Sequence, residues 1–166
     1  MASKEVTDFT NLLIKKEWKI AFVESVSAGK MSYEFSTVPN SGKILLGGIV
    51  SYDICMKTDL LKIPLGLIET FTAESYEVTQ AMAVNFCSFT PADICVAITG
   101  LATPGGSECL EKPVGTIFVY IILPYKHIAK RFHFKGTQTE IINQAIDAIA
   151  LLIGSDIETN YPLKCK

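Results

Sequence analysis

The sequence predicts an α/β fold in three layers, with helices on both faces of a mixed, mostly buried sheet. Segments with helical periodicity alternate with short apolar segments along the chain. Two of the apolar segments, residues 94–98 and 117–123, are rich in isoleucine and valine and contain no charge, which is typical of buried strands. Hydrophobic residues make up 49% of the 166 residues and charged residues 19%, which is enough for one domain with a sizeable core.

The first half of the chain contains five predicted elements. They are a helix over residues 4–17, a strand over 19–23, a second helix that ends at Phe35, a strand over 44–52 and a helix over 53–62. The first helix is amphipathic, since Val6, Phe9 and Leu13 recur at helical spacing. Gly48 predicts a bulge or a close backbone approach in the second strand. The helix over 53–62 is expected to stop before Pro64.

The second half begins with a helix within residues 74–89, for which Ser75 is the predicted N-cap. The two apolar strands follow, then a strand over 130–134 and a final helix. That helix starts with the capping-box pattern Thr137-x-x-Glu140, and Gly154 is its predicted C-cap. Residues 155–166 are polar and are interpreted as a C-terminal tail, so the predicted domain covers residues 1–154.

Composition argues against several classes of function. The formal net charge is −2 and no cluster of lysine and arginine occurs, so neither a nucleic-acid nor a membrane-surface role is expected. Residues 1–10 have no apolar core, and no uninterrupted apolar run is long enough to span a membrane. The five cysteines are odd in number and lack CxxC spacing, which favours free thiols in a reducing cytoplasm.

The segment with the most constrained backbone is residues 99–106 (TGLATPGG), followed by residues 112–116 (KPVGT). It connects the two apolar strands, at a sheet edge where open α/β folds bind ligands. Glycines allow positive φ and let backbone N–H groups approach a ligand closely. A tight structural connection without a ligand is the alternative interpretation.

A second candidate segment is residues 23–29 (VESVSAG), where a strand runs into a helix. Ser25 or Ser27 is a candidate nucleophile there, beside helix N–H groups that suit an oxyanion or a phosphate. Ser27 as an ordinary N-cap is the competing interpretation. The match of Ser27-x-x-Lys30 to the SxxK motif is attributed to chance, because the partner motifs SDN and KTG are missing.

A third segment, residues 52–57 (YDICMK), contains a candidate base. A partly desolvated lysine can activate a serine by accepting its proton. Lys57 follows a predicted buried strand whose last residue is Tyr52. The competing interpretation is a solvated lysine and a tyrosine at the edge of the core. Neither a P-loop nor a Rossmann fingerprint is present, and His127 and His133 form no ligand pair, so no metal and no cofactor are expected.

Four ordered motifs resemble the CinA C-terminal domain family over roughly residues 5–154. Residues 23–29 are similar to the family pattern AESxTGG, and residues 47–57 (GGIVSYDICMK) are similar to GGxVxYSNxxK. Residues 99–106 are similar to (T/S)GIAGPxGG, with the glycine pair offset by at most one position. The element KPVGT is intact at residues 112–116. The resemblance implies a CinA-like three-layer α/β/α fold.

The resemblance also implies an activity, that of nicotinamide-nucleotide amidohydrolase (NMN deamidase). In this mechanism a serine attacks the carboxamide of nicotinamide mononucleotide (NMN), ammonia leaves, and water resolves the acyl-enzyme without a metal. By position, Ser25 is the nucleophile, Lys57 its proton acceptor and Tyr52 a supporting residue. The implied substrate-binding residues are Glu24, Ser27, Gly29, Gly48, Thr99, Gly100, Ala102, Gly105, Gly106, Lys112 and Gln138. The expected partners are a pyridine mononucleotide as small-molecule substrate and further copies of the chain in a homo-oligomer.

Several residues depart from the family pattern. The family usually has Gly-Asp-Arg before its last helix, where this chain has residues 136–138 (GTQ). An arginine there can hold a phosphate by a bidentate contact that Gln138 cannot make. Asp53 and Ile54 replace a Ser-Asn pair, and Ala28 and Thr103 replace glycines. A non-catalytic relative that keeps the fold for ligand binding or assembly is therefore the alternative function.

The predicted topology makes a geometric claim. Ser25, Tyr52, Lys57 and the loop of residues 99–106 each follow the end of a predicted buried strand. Strand ends at one edge of a sheet lie close together, so we expect these residues to meet in one cleft.

Overall fold

The computed structural model describes residues 2–162 as alternating helices and strands. The helices are α1 (Lys4–Lys16), α2 (Lys30–Ser36), α3 (Leu65–Phe71), α4 (Tyr76–Cys87) and α5 (Gln138–Asn160). The strands are β1 (Ile20–Glu24), β2 (Leu45–Val50), β3 (Ile94–Gly100), β4 (Thr116–Leu123) and β5 (Lys126–His133). A 3-10 turn, Ser41–Lys43, precedes β2, and a π-helical turn, Met56–Leu60, follows it.

The five strands form one mixed sheet in the order β2-β1-β3-β4-β5. β1 pairs in parallel with β2 and with β3, while β4 pairs antiparallel with β3 and with β5. The predicted three-layer α/β architecture is confirmed, because apolar residues pack on both faces of this sheet. α1, α2 and α5 cover one face, where Phe22 and Ile98 lie, and α3 and α4 cover the other, where Val23 and Ala97 lie.

The predicted helix starts are confirmed by their capping contacts. The Ser75 side chain accepts a hydrogen bond from the N–H of Val78 at the start of α4. Thr137 and Glu140 form the complete capping box at the start of α5. Each contact satisfies backbone N–H groups that the first turn of a helix leaves without an intrahelical partner.

The helix expected over residues 53–62 forms over a shorter range, since Ile54 and Cys55 are α-helical and Met56–Leu60 continue as one wide turn. The N–H of Leu61 bonds to the carbonyl of Met56, five residues back, which is the π-type pattern. Lys57 points inward from this turn and is buried, so a regular surface helix is not maintained. The short helix α3 was not predicted, because seven residues after Pro64 carry too little periodicity.

Two boundaries in the second half also differ from prediction. β5 starts at Lys126, four residues earlier than predicted, because its first half is mostly exposed at the edge of the sheet and shows no apolar alternation. α5 continues through Gly154 to Asn160, so Gly154 is not its C-cap and residues 155–160 are helical. Ile153 and Ile157 are fully buried, and their burial outweighs the cost of a mid-helix glycine, about 1 kcal/mol. Residues 163–166 of the predicted tail lie outside the described residues.

Two further observations concern thiols and membranes. The thiols of Cys55, Cys87, Cys95 and Cys109 are free, and Cys165 lies outside the described residues. Among residues 2–162, no helix is both long and apolar enough to cross a membrane.

Gly48 lies where β2 passes closest to β1. A Cβ atom at this position would lie 2.7 Å from the carbonyl oxygen of Phe22 and 2.7 Å from Ser32 Oγ. The predicted close backbone approach is therefore confirmed, and it lets α2 pack down on β2.

We predict that Gly48→Ala destabilises the fold by about 2 kcal/mol, because the Phe22 backbone cannot move aside without disturbing the central strand. Gly66→Ala is the control, since a Cβ there meets no atom within 4 Å and alanine is the better helix former. Urea denaturation of both variants measures the difference. Equal midpoints for the two variants would contradict the close approach.

Candidate active site

The site lies at the carboxyl edge of the three parallel strands. Ser25 follows β1, Ser51 and Tyr52 follow β2, and Gly100 closes β3. The strand pairing continues into these residues, since Ser25 N–H donates to the carbonyl of Ile98 and Ser51 N–H donates to that of Glu24. The backbone that carries the candidate groups is therefore an extension of the sheet, which is the usual ligand edge of α/β folds.

Seven of the residues predicted for the site line one cleft at this edge. They are Ser25, Tyr52, Gly100, Ala102, Gly105, Gly106 and Gln138. Gln138 reaches the cleft as the first residue of α5. Lys57 meets Ser25 through its amine, so all the groups expected to meet do so.

Glu24 organises the turn that carries Ser25. Its carboxylate is fully buried and accepts hydrogen bonds from three backbone N–H groups and two hydroxyls. The donors are the N–H groups of Gly29, Met31 and Ser32 and the hydroxyls of Ser27 and Ser32, at 2.6–3.0 Å. These bonds fix the first turn of α2 against the end of β1, and Ser25 begins the connection between them.

The turn also holds a strained residue. Ala28 has φ of +49°, in the left-handed region that glycine adopts at little cost. This is one of the positions where the resembling family has glycine, so the conformation is kept although the residue differs. Left-handed backbone costs an alanine roughly 1–2 kcal/mol.

The amine of Lys57 lies 3.0 Å from the hydroxyl oxygen of Ser25. The same nitrogen donates to the backbone carbonyls of Ser51 and Tyr52, the latter at 3.1 Å. Lys57 is only 1% exposed, whereas a lysine seldom lies this deep without a partner charge. The π-helical turn presents its side chain to the end of β2.

Burial lowers the pKa of the Lys57 ammonium group from its ordinary value of 10.5. The negative charges of Glu74 and Asp53 act in the opposite direction and raise this pKa in part. A lysine with a lowered pKa holds more neutral amine near neutral pH, which is the form that accepts a proton.

Tyr52 contributes to the Ser–Lys contact through its backbone and not through its ring. Its carbonyl accepts the bond from Lys57, while its side chain is 64% exposed at the mouth of the cleft. A supporting role for the phenol is therefore limited to contacts with a ligand.

The Gly-rich loop is tied to the segment before α4. Lys112 Nζ donates to Thr72 Oγ1 at 2.6 Å, to Ser107 Oγ at 2.7 Å and to the carbonyl of Glu74 at 3.0 Å. Ser107 in turn donates to the carboxylate of Glu74. Lys112 therefore positions the loop and Glu74 and does not line the cleft.

Comparison with known proteins identifies the fold and the family. Residues 3–155 match the CinA C-terminal domain. The chain belongs to the CinA C-terminal domain family. Its curated relatives include a CinA-like protein of Desulfotalea psychrophila, 39% identical over 129 residues, covering 78% of this chain and 31% of that protein. A CinA-like protein of Leptospira biflexa is 38% identical over 143 residues, covering 85% of this chain and 34% of the relative. The chain thus spans about a third of the length of these relatives.

Solved structures of CinA proteins show the same fold. The competence-damaged protein (CinA) superfamily protein from Klebsiella pneumoniae has a TM-score of 0.85 at 22% identity, covering 95% of this chain and 98% of that one. The competence/damage inducible protein CihA from Agrobacterium tumefaciens has a TM-score of 0.85 at 21% identity, covering 93% and 97%.

Several residues that family resemblance assigns to substrate binding lie away from the cleft in this CinA domain. Glu24 and Ser27 bind each other, and Gly29 and Gly48 serve the packing of α2 and β2. The fully buried Thr99 shares a hydrogen bond of 2.8 Å with Thr79 and locks β3 to α4. These residues hold the strands and helices around the site in place and do not line the cleft.

Glu74 is a cleft residue that sequence reasoning missed. It lies just before Ser75, the N-cap of α4, and only tertiary contacts with Ser107 and Lys112 bring it to the site. The only local signal is an acidic residue next to a helix cap, which is common on protein surfaces.

We predict that Glu24→Gln destabilises the domain by about 3 kcal/mol, because an amide NH2 cannot accept the hydrogen bonds of one carboxylate oxygen and buried donors lose their partner. Glu34→Gln on α2 is the control, since it removes only the i,i+4 pair with Lys30, worth less than about 1 kcal/mol. Urea denaturation compares the two variants. A Glu24→Gln variant as stable as Glu34→Gln would show that the buried carboxylate does not fix the turn.

Proposed function

We propose that this CinA domain is a metal-independent amidohydrolase that converts the carboxamide of a nicotinamide nucleotide, NMN by family resemblance, to the carboxylate and ammonia. Ser25 is the nucleophile and Lys57 is its base. The observation that carries the proposal is the 3.0 Å contact between Ser25 Oγ and the buried Lys57 amine. A serine needs such a base, because its unassisted hydroxyl is a poor nucleophile at neutral pH.

The acceptors around Lys57 suit both of its protonation states. A neutral amine donates two N–H bonds to the carbonyls of Ser51 and Tyr52, which leaves its lone pair for the hydroxyl proton of Ser25. An ammonium group donates to the same two carbonyls and to Ser25 Oγ. Neither state leaves a buried polar group unpaired, so the proton can move with little reorganisation.

The chemistry follows as two half-reactions. Lys57 takes the proton of Ser25 as Oγ attacks the carboxamide carbon, and the Lys57 ammonium then protonates the leaving NH2 group, which departs as ammonia. Water attacks the resulting ester while Lys57 takes one of its protons, and the proton returns to Ser25 Oγ as the carboxylic acid leaves.

The turn after Ser25 supplies donors for the tetrahedral oxyanion. Ser25 N–H is engaged with Ile98, and Ala28 N–H donates to the carbonyl of Ser25. The N–H groups of Val26 and Ser27 have no acceptor within residues 2–162. They are the donors that we assign to the oxyanion, at the start of the turn that Glu24 holds in place.

The alternative function is ligand binding without turnover, and the lining of the cleft favours it in one respect. Gln138 occupies the place of the family arginine, so a phosphate contact that would orient NMN is missing. Turnover measurements on the purified chain separate the two functions.

We predict that Ser25→Ala abolishes ammonia release and that Lys57→Ala lowers kcat by about a hundredfold or more, because the nucleophile and then its base are lost. Ser36→Ala and Lys15→Ala, on the exposed surfaces of α2 and α1, are matched controls and keep parental rates. Steady-state formation of ammonia and carboxylate measures all four variants. Undiminished activity of Ser25→Ala would overturn the assigned nucleophile, and an inactive parent that still binds the ligand would favour the non-catalytic alternative.

A further inference from the structure

Glu74 is the only charged side chain that lines the cleft in the described part of the chain. Its carboxylate is held in place, since Ser107 donates to Oε2 and Lys112 holds both Ser107 and the Glu74 carbonyl. The other carboxylate oxygen, Oε1, has no hydrogen-bond partner within residues 2–162. Glu74, which lines the cleft, thus carries a fixed carboxylate with one oxygen that is not hydrogen-bonded within the described residues.

Two backbone groups near the cleft that could bind a phosphate are engaged within the chain. The N–H of Gly105, in the Gly-rich loop, donates to the carboxylate of Glu108 at 2.7 Å. At the N-terminus of α5, Glu140 accepts the N–H of Thr137 at 2.7 Å. Carboxylates of the chain therefore occupy these two backbone donors, which in other proteins can bind phosphate.

The nearby lysines offer no free cation either. All three protons of the Lys112 ammonium are used by Thr72, Glu74 and Ser107. Lys57 must be neutral when it takes the proton of Ser25, so it is not a lasting counterion. With Gln138 in the place of the family arginine, no positively charged side chain in this lining balances a phosphate dianion.

We propose that the cleft binds a cationic, unphosphorylated carboxamide of the pyridinium nucleoside class in preference to its 5′-phosphate. Glu74 is the residue that attracts the positive charge of this ligand. This inference rests on the proposed amidohydrolase function and changes its preferred substrate from the nucleotide that the family resemblance implies to the corresponding nucleoside. A pyridinium ring that bears the carboxamide carries a fixed positive charge, which Glu74 attracts. A 5′-phosphate on the same ribose adds negative charge beside Glu74 and Glu108, which both carboxylates oppose.

Binding of two matched ligand pairs tests the charge preference. Nicotinamide riboside and NMN differ only in the phosphate, and 1-methylnicotinamide and nicotinamide differ in the positive charge of the ring. Titration calorimetry on the Ser25→Ala protein measures binding without turnover. We expect the riboside to bind about tenfold more tightly than NMN, and the 1-methyl cation about fivefold more tightly than nicotinamide.

Variants on the same background assign the effect to residues. Glu74→Gln is expected to weaken both cations about fivefold and to leave nicotinamide unchanged, whereas Glu69→Gln, an exposed charge on α3, changes neither. Gln138→Arg is expected to tighten NMN and not the riboside, because it restores a phosphate contact. In the catalytic parent it should lower KM for NMN with a smaller effect on kcat.

The outcomes separate this inference from the function on which it rests. Tighter binding of NMN than of the riboside, an equal effect of Glu74→Gln on charged and neutral ligands, or binding of none of the four ligands would overturn the charge preference. Ammonia release by the parent protein is measured in parallel with the riboside and NMN. No ammonia from either substrate, with the riboside still preferred in binding, would count against hydrolysis and support the selectivity.

Discussion

The side chain of Lys57 leaves the turn after β2 and ends between the carbonyls of Ser51 and Tyr52, 3.0 Å from Ser25 Oγ. Moving a charged amine out of water costs several kcal/mol, so a fold keeps one there only where acceptors surround it. Two of these acceptors are backbone carbonyls just beyond the end of β2, where the backbone is fixed by the sheet. The position of the Lys57 amine, the proposed base, is therefore set by strand pairing, and the π-helical turn adapts to it.

The position of Ser25, the proposed nucleophile, depends on a second buried ionisable side chain. Glu24 gathers five donors from the connection between β1 and α2 and so determines where Ser25 lies relative to Lys57. This arrangement tolerates Ala28 in a left-handed conformation, because the bonds to Glu24 outweigh roughly 1–2 kcal/mol of strain. The buried side chains of Glu24 and Lys57 thus set the relative positions of Ser25 and the Lys57 amine.

The carboxyl edge of the sheet also explains which parts of the molecule could be predicted from the sequence. Uncharged apolar segments and helical periodicity are local signals, and they located the sheet, α1, α4 and the start of α5. Convergence of Ser25, Tyr52 and the Gly-rich loop followed from parallel strand ends meeting at one edge. The burial of Lys57 is a tertiary effect, so periodicity predicted the helical segment after β2 and not its wide, π-type turn. The extension of α5 past Gly154 depends in the same way on packing against α1, which no local pattern contains.

The residues that surround the cleft are harder to predict from the sequence than the residues of the motifs. Glu74 is separated by some thirty residues from Ser107 and Lys112, and only the closure of the Gly-rich loop over the segment before α4 brings them together. Family motifs marked Lys112 as a substrate contact, whereas its three bonds make it a positioning residue. Motifs identify residues that a family retains, while the charge lining the cleft depends on residues between the motifs.

The proposed mechanism requires Lys57 to be a buried base with a lowered pKa. NMR titration of the Cε signal of 13C-labelled lysine, assigned with Lys57→Arg, measures that pKa directly. We expect Lys57 to titrate below the ordinary value of 10.5, because burial disfavours its charged form, and Glu74→Gln to lower the pKa further, because it removes a negative charge that stabilises the ammonium. A Lys57 signal that titrates at or above 10.5 would contradict the assignment of Lys57 as the proton acceptor of Ser25.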